Sequence, residues 1–154
     1  MTTTLAPESG GRIVVVDDSW LILEQIRLCL SASGYDVRTT TGPDMAERLV
    51  KNADLAIIDF HMPGLNGKEL VVRLRGTLPR ESACVFYLYT SDRDEASRYE
   101  VHGFDGAFLK KGDEAALVPQ VEAVFRTVAL RRVAERLRRG RNAIGGAGAP
   151  PNNT

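Results

Sequence analysis

Three aspartates in this sequence come directly after short apolar runs. Asp17 and Asp18 follow Val14–Val16, and Asp59 follows Ala56–Ile58. If these runs are neighbouring parallel strands, the carboxylates meet at the edge of the sheet where the strands end. Crowded carboxylates repel one another unless a cation lies among them, and hard oxygen ligands favour Mg²⁺. The pattern therefore predicts a magnesium site.

A hydroxyl and an amine follow two further apolar runs. Thr90 follows Phe86–Tyr89, and Lys110 follows Phe108–Leu109. With the aspartates, these groups permit phosphoryl transfer to a carboxylate, because a metal and a lysine neutralise phosphoryl oxygens while an aspartate attacks. A single aspartate after a strand would mean little, because aspartate often caps the following helix, so the prediction depends on the complete set.

The apolar runs alternate with segments that are long enough for two to four helical turns. Short uninterrupted runs are typical of strands buried on both faces of a parallel sheet. The predicted strands are Arg12–Val16, Asp36–Thr40, Leu55–Ile58, Cys84–Tyr89 and Ala107–Leu109. The predicted helices between them are Trp20–Ser33, Asp44–Asn52, Lys68–Arg75 and Asp92–His102. This alternation predicts a three-layer α/β fold with right-handed crossovers.

The composition is that of an ordinary soluble domain. The chain has 154 residues, of which 44% are hydrophobic, and 20 basic side chains balance 20 acidic ones. The longest apolar run, Ala83–Tyr89, falls far short of the roughly 20 residues that a membrane span needs. The N-terminal residues lack the basic and apolar stretches of a signal peptide. We therefore expect a cytoplasmic protein without membrane contact, in which Cys29 and Cys84 are reduced core residues.

A specific motif surrounds the third aspartate. Asp59 is followed by Met62, Pro63 and Gly67. Together with the acidic pair after the first strand, the hydroxyl and the lysine, this motif resembles the receiver domain of response regulators, the CheY-like phosphoacceptor of two-component signalling. The resemblance covers about residues 12–128. It implies a flavodoxin-like fold with a five-stranded parallel sheet in the order 2-1-3-4-5.

The resemblance also implies a role for each site residue. Asp59 would be the phosphorylated residue. Asp18 and Asp59 would ligate Mg²⁺ with the backbone carbonyl of His61, and Asp17 would hold a metal-bound water. Thr90 would be the switch hydroxyl that turns towards the phosphoryl group.

The end of the fifth strand departs from the family pattern. The resemblance implies that Lys110 pairs with the phosphoryl group, but Lys111 occupies the position where the family usually has proline. Ala107 stands where the family favours an aromatic switch residue. Because Phe108 is the next residue, a shift by one position would make Lys111 the functional lysine. The spacing from Gly103 favours Lys110.

The C-terminal part of the chain has a different character. We expect a disordered arm over 1–11, a receiver over 12–128, a basic extension of the last helix over 129–141, and a disordered tail over 142–154. The predicted last helix begins near Asp113 and is much longer than the others. Arginines crowd its end: Arg126, Arg131, Arg132, Arg136, Arg138, Arg139 and Arg141.

Three interpretations of the basic extension are open. The first is a solvated, frayed helix. The second is a contact with a second copy or another protein through Leu130, Val133 and Leu137, because burial of an exposed apolar stripe against a partner is favourable. Nucleic-acid or acidic-membrane binding is disfavoured, because no aromatic residues are interleaved with the arginines.

These observations predict a stand-alone response regulator that signals by protein–protein contact. A histidine kinase or a phosphotransfer protein would donate the phosphoryl group, and the downstream protein target is not identified by the sequence. Apart from weak self-catalysed hydrolysis, no enzymatic activity is expected. One alternative is a receiver-like scaffold or dimerisation module that works without phosphorylation. A small phosphatase is disfavoured, because His61 stands where such enzymes commonly place a second acid.

Overall fold

Five strands and five helices alternate along the part of the chain that the structure describes. The computed structural model describes residues 10–109 and 111–145. The strands are β1 (Gly10–Val16), β2 (Tyr35–Thr40), β3 (Leu55–Asp59), β4 (Val85–Tyr89) and β5 (Gly106–Phe108). The helices are α1 (Trp20–Ala32), α2 (Pro43–Val50), α3 (Gly67–Thr77), α4 (Arg93–Ser97) and α5 (Glu114–Gly145).

All strands of the sheet are parallel, and their order is β2-β1-β3-β4-β5. The predicted order 2-1-3-4-5 is therefore confirmed. In the register of the sheet, Val16 pairs with Ile58, and Asp59 pairs with Tyr89. The polar residues that end or follow β1, β3 and β4 consequently lie at one edge.

The central strand lies deepest in the core. Each residue of β3 is buried, and Ile57 and Ile58, which point to opposite faces, are both fully inaccessible to solvent. Cys84 is buried and Cys29 is half-buried, and both are free thiols. Burial of side chains on both faces explains why the strand sequences are uninterrupted apolar runs.

Several element ends differ from the prediction, and those of β1 and α5 change the predicted bounds of the terminal segments. Strand β1 begins at Gly10 and not at Arg12, because the Gly10 N–H donates to the Gly34 carbonyl at 3.0 Å. The predicted arm thus loses two residues to the sheet, and residues 1–9 lie outside the described part. Helix α5 continues to Gly145, so that 142–145, predicted as disordered, are helical. Residues 146–154 also lie outside the described part.

Helix α4 is shorter than the predicted segment Asp92–His102. Asp92 is its N-cap and accepts hydrogen bonds from the backbone N–H groups of Asp94 and Glu95, at 3.0 and 3.2 Å. The helix ends at Ser97, and the chain continues in turns. His102 is buried there, and its Nε2 lies 2.5 Å from an oxygen of Glu95.

The described chain divides into two compact units, one up to Gln120 and one from Val121 onwards. Along α5, Leu117, Val121 and Val124 are buried and Val128 is half-buried, and their spacing of three and four residues places them on one face of the helix. Within the part that the structure describes, no helix is long and apolar enough to span a membrane.

Candidate functional site

Asp59 ends β3 as a buried carboxylate, and the loop after it is fixed by a glycine. The Gly67 N–H donates to the Phe60 carbonyl at 2.9 Å. A Cβ at position 67 would lie only 2.7 Å from the Asp59 carbonyl oxygen, so a side chain cannot be accommodated without movement of the backbone. Asn66 then caps α3 by accepting from the Glu69 N–H at 2.9 Å. The motif that follows Asp59 therefore holds the backbone of this aspartate in place.

Asp17, Asp18 and Asp59 form an acidic cluster. One carboxylate oxygen from each lies within 4.8 Å of the others. Asp17 and Asp59 are buried, whereas Asp18 is exposed, so the cluster opens to solvent on one side. Mg²⁺ holds its oxygen ligands at about 2.0–2.1 Å in an octahedron and keeps several waters. Two buried oxygens and one exposed oxygen at this spacing fit such an ion.

A lysine joins two members of the acidic cluster. The Nζ of Lys111 lies 2.9 Å from Asp17 Oδ2 and 2.8 Å from Asp59 Oδ1. It also lies 5.9 Å from the ring centroid of Tyr89. Burial alone would lower the pKa of Lys111, but the hydrogen bonds to Asp59 and Asp17 outweigh burial, so this pKa is raised. The ammonium is therefore charged at neutral pH.

The pKa of Asp17 is raised. Burial raises this pKa by more than it is lowered by the hydrogen bonds that the carboxylate accepts from the Ser19 N–H and from Lys111. The Ser19 N–H lies 2.9 Å from Asp17 Oδ1. A cation that binds between the carboxylates would offset the cost of burying their charge.

Among the described residues, the lysine that reaches Asp59 is Lys111. Lys110, which the spacing favoured, lies outside the described residues, so its role stays a prediction. Two features position the loop after β5. The side-chain amide of Gln120 accepts from the Leu109 N–H at 2.8 Å and donates to the Leu109 carbonyl at 3.0 Å. Gly112 has a φ of +100°, which turns the chain directly after Lys111.

Phe108 does not take the position of Ala107 in the sheet. Ala107 pairs with Leu88, and Phe108 pairs with Tyr89. Because successive strand residues point to opposite faces, Phe108 does not share the face of Ala107. It stacks instead on Tyr87, with 4.6 Å between the ring centroids. Phe108 therefore does not replace the missing aromatic residue.

A cavity of about 660 Å³ lies beside Ala107. Its lining extends from the edge of the sheet near the acidic cluster, at Thr90 and Lys111, to α4 and the turn after it, at Ala96 and Tyr99. The small side chain of Ala107 leaves this space open where the family favours an aromatic ring.

Thr90 is placed at the predicted edge of the sheet. Its side chain is buried, and its hydroxyl oxygen accepts a hydrogen bond from the Asp92 N–H at 3.2 Å. Since Asp92 is the N-cap of α4, the position of the Thr90 hydroxyl is linked directly to the start of this helix. Movement of Thr90 would break that link.

His61 lies on the solvent side of the site. Its side chain is 63% exposed, and its Nε2 lies 3.8 Å from an oxygen of Asp92. This location agrees with a histidine in a solvent-facing loop. A metal-ligating role for the His61 backbone carbonyl stays a prediction.

Sequence reasoning missed Gln120 as a positioning residue. Its partner Leu109 is distant along the chain, on the other side of the turn that carries Lys111. A glutamine in a predicted helix carries no signal of this kind, because only the folded loop brings the two residues together.

The comparison with known proteins agrees with this geometry. The family model for the response regulator receiver domain matches residues 13–122. The transcriptional regulatory protein PrrA of Mycobacterium leprae is 33% identical over 123 residues, which cover 77% of this chain and 51% of that protein. The alginate regulator AlgB of Pseudomonas aeruginosa is 35% identical over 74 residues, which are 47% of this chain and 16% of that protein. The chain thus spans about half or less of the length of these curated relatives.

Solved structures match over most of this chain. The response regulator TrrA from Thermotoga maritima, determined in complex with Mg²⁺ and BeF, has a TM-score of 0.61 and 27% identity. The match covers 73% of this chain and 97% of that one. This neighbour and the acidic cluster together support Mg²⁺ as the cofactor. With the fold, the site and the family model in agreement, the chain belongs to the response regulator receiver domain family of two-component signalling.

Proposed function

We propose that Asp59 is the phosphoacceptor and that Lys111 is the lysine that pairs with the phosphoryl group. The observation that carries this proposal is the 2.8 Å separation between Lys111 Nζ and Asp59 Oδ1. An ammonium at this distance neutralises negative charge where a phosphoryl oxygen would arrive. Asp18, Asp59 and the His61 backbone carbonyl are the proposed ligands of Mg²⁺, and Asp17 is proposed to hold a metal-bound water.

The transfer forms one bond and breaks another. A carboxylate oxygen of Asp59 attacks the phosphorus of the donor, and the bond from phosphorus to the donor's nitrogen or oxygen breaks. The electron pair of that bond leaves with the donor group. When bound, Mg²⁺ would supply positive charge that offsets the negative charge of the phosphoryl group. Lys111, released from its bond to Asp59, donates to one of these oxygens.

Thr90 is the proposed switch. A phosphoryl group adds nearly two negative charges and three acceptor oxygens, and a nearby hydroxyl can donate to one of them. Because the Thr90 hydroxyl oxygen now accepts from the Asp92 N–H, rotation towards the phosphoryl group would remove one support of the α4 N-terminus. The open cavity beside Ala107 leaves space for such a repacking.

The partners follow from this chemistry. We propose a histidine kinase or a phosphotransfer protein as the donor, located with this chain in the cytoplasm, and output by contact with another protein as expected of a stand-alone regulator. The curated relatives that name transcriptional regulation are about twice as long as the matched region or longer. Slow hydrolysis of the acyl phosphate would reset the site without an enzymatic function of its own.

A phosphorylation-independent scaffold is the second candidate. The observation that favours it is the absence of an aromatic side chain at Ala107, since Phe108 faces the other side of the sheet. In a scaffold, partner binding would be the same with and without phosphate. The retained acidic cluster and its lysine favour the phosphoacceptor.

The decisive experiment uses Mg²⁺ and acetyl phosphate. Trp20, the chain's single tryptophan, begins α1 close in sequence to Asp17 and Asp18, so its fluorescence is expected to report metal binding. Intact mass should then show the gain of one phosphoryl group. Asp59→Asn should abolish this gain. The matched control Asp36→Asn, which changes an exposed aspartate of β2, should leave it intact.

Two results would contradict the proposal. Stable phosphorylation of Asp59→Asn would mean that another residue is the acceptor. Failure of the wild-type chain with acetyl phosphate and with a set of purified histidine kinases would favour the scaffold.

A further inference from the structure

The end of α5 presents a continuous exposed surface. Every residue from 129 to 145 is exposed. Large apolar side chains are among them, since Leu130 is 71%, Leu137 60% and Ile144 81% exposed. Isolated exposed apolar residues are common on proteins, but a helix that repeats them at regular spacing indicates an interaction surface.

The exposed apolar residues follow a heptad spacing. Leu130, Val133, Leu137, Gly140 and Ile144 are separated alternately by three and four residues. We call these five positions the apolar seam. Alternation of three and four places them along one narrow line of the helix, which is the pattern of the a and d positions of a coiled coil. Glycine at one of these positions permits close approach of a second helix.

The surroundings of the apolar seam are strongly basic. Residues 126–145 contain seven arginines and one acidic residue, Glu135. In the heptad that the seam defines, Arg136 occupies position g and Arg141 occupies position e, directly beside the seam. Arg131 and Arg138 occupy position b, further round the helix. Residues at e and g determine which partner helix a coiled coil accepts.

This charge pattern disfavours a second copy of the chain. In a parallel helix pair, position g of one helix faces position e of the next heptad in the other, so Arg136 would face Arg141. In an antiparallel pair, like positions face each other, and arginine again meets arginine. Like charges in these positions are repulsive. A partner helix with glutamate or aspartate at the facing positions would instead form ion pairs.

The seam also discriminates between other acidic partners. A nucleic acid offers phosphates for the arginines, but it offers no apolar surface that covers Leu130 and Leu137. A membrane-surface helix needs a broad apolar face rich in large side chains, whereas this one is a single line with Gly140 and Val133 in it. The apolar seam with arginines beside it is complementary to another helix that has a narrow apolar line flanked by acidic residues.

We propose that residues 130–144 bind an acidic amphipathic helix of another protein. The partner helix carries apolar residues at its own a and d positions and acidic residues beside them. The contact spans only about two heptads, so it is weak by itself and depends on ionic strength. The proposal does not depend on phosphorylation of Asp59, and its test uses no phosphoryl donor.

The test uses the full chain and a synthetic helix as the probe. The probe is a fluorescently labelled peptide of three heptads with leucine at a and d and glutamate at e and g. A second probe has lysine in place of each glutamate. Fluorescence anisotropy measures binding at low and at physiological salt. We expect the wild-type chain to bind the glutamate probe, to release it as salt increases, and to bind the lysine probe far more weakly.

Matched charge reversals identify the face that binds. The double variant Arg136→Glu with Arg141→Glu should lower the affinity for the glutamate probe by about tenfold or more. The same variant should have a higher affinity than wild type for the lysine probe. The control Arg131→Glu with Arg138→Glu makes the same change in net charge at the outer positions, and it should weaken binding much less. Leu130→Ser with Leu137→Ser should also weaken binding. All these positions are exposed, and circular dichroism checks that helix content is retained.

Several outcomes would overturn the proposal. Equal losses in the two double variants would show that only net charge matters. Tighter binding to vesicles of phosphatidylserine and phosphatidylcholine, or to a short DNA duplex, than to the glutamate probe would replace the partner helix with a membrane or a nucleic acid. Light scattering would detect a dimer of the wild-type chain. If the double variant Leu130→Ser with Leu137→Ser were monomeric, the apolar seam would be the contact with a second copy.

Discussion

Lys111 Nζ lies 2.8 Å from Asp59 Oδ1, although Asp59 ends β3 and Lys111 follows β5. Strand β4 separates these two strands in the sheet. The ion pair therefore crosses the end of a whole strand, and it also includes Asp17. Such a bridge holds positive charge at the carboxylate that we propose as the phosphoacceptor.

The identity of the functional lysine is the first prediction. Lys111→Ala should lower the rate of phosphorylation by acetyl phosphate roughly 100-fold, because removal of one positioned donor commonly has an effect of this size. The matched variant Lys110→Ala should leave the rate nearly unchanged. Phosphorylation is followed by intact mass at fixed Mg²⁺. The reverse pattern would return the role to Lys110.

The affinity for Mg²⁺ should depend on pH. A carboxylate must be ionised to hold the metal or its water, and burial raises the pKa of Asp17. Protons therefore compete with Mg²⁺ at a higher pH than they would at an ordinary aspartate, and affinity should fall as pH is lowered. Titration of Trp20 fluorescence with Mg²⁺ across the acidic to neutral range measures this. Constant affinity across that range would mean that Asp17 takes no part.

Two neighbouring residues of β5 should respond in opposite ways to a change in size. Phe108 is buried and stacks on Tyr87, so Phe108→Ala should lower the free energy of unfolding by about 3–5 kcal/mol. Ala107→Tyr should change it by no more than about 1 kcal/mol, because the cavity of about 660 Å³ receives the added ring. Urea denaturation compares the two variants. A large destabilisation by Ala107→Tyr would mean that the cavity does not accommodate a ring.

Gln120 should act through the loop that carries Lys111. Gln120→Glu keeps an acceptor for the Leu109 N–H but places a carboxylate oxygen against the Leu109 carbonyl, and Gln120→Ala removes both bonds. Both variants should phosphorylate more slowly than wild type while retaining Mg²⁺ affinity. Rates with acetyl phosphate, measured beside Mg²⁺ titrations, separate the two effects. Equal loss of metal affinity would instead indicate a general loss of structure.

Two glycines of α3 form a matched pair for stability. Gly67→Ala places a Cβ 2.7 Å from the Asp59 carbonyl oxygen, and the cost of this clash should be about 1–3 kcal/mol. Gly76 has no atom within 4 Å of an added Cβ, so Gly76→Ala should stabilise the helix by about 0.5–1 kcal/mol. Thermal unfolding of both variants tests this. A stable Gly67→Ala protein would show that the loop after Asp59 can shift.

Much of the site was predictable because its residues follow strands. A strand that is buried on both faces is recognisable as an apolar run, and the polar residue after it must lie at the edge of the sheet. Asp17, Asp59 and Thr90 satisfied this rule and are buried at that edge. The strand order was predictable only through the family motif around Asp59, since apolar runs alone do not specify which strands are neighbours.

By itself, the sequence determined the alternation of strands and helices, the acidic cluster and the concentration of arginines at the end of the last helix, because each depends on residue type and local spacing. Only the tertiary structure shows that Lys111 reaches Asp59. This contact depends on the loop after β5, where Gln120 holds Leu109 and Gly112 turns the chain. Spacing from a glycine measures length along the chain, whereas a side chain reaches its partner through space. The path of a loop can therefore bring a side chain to its partner from a position that the count along the chain does not favour.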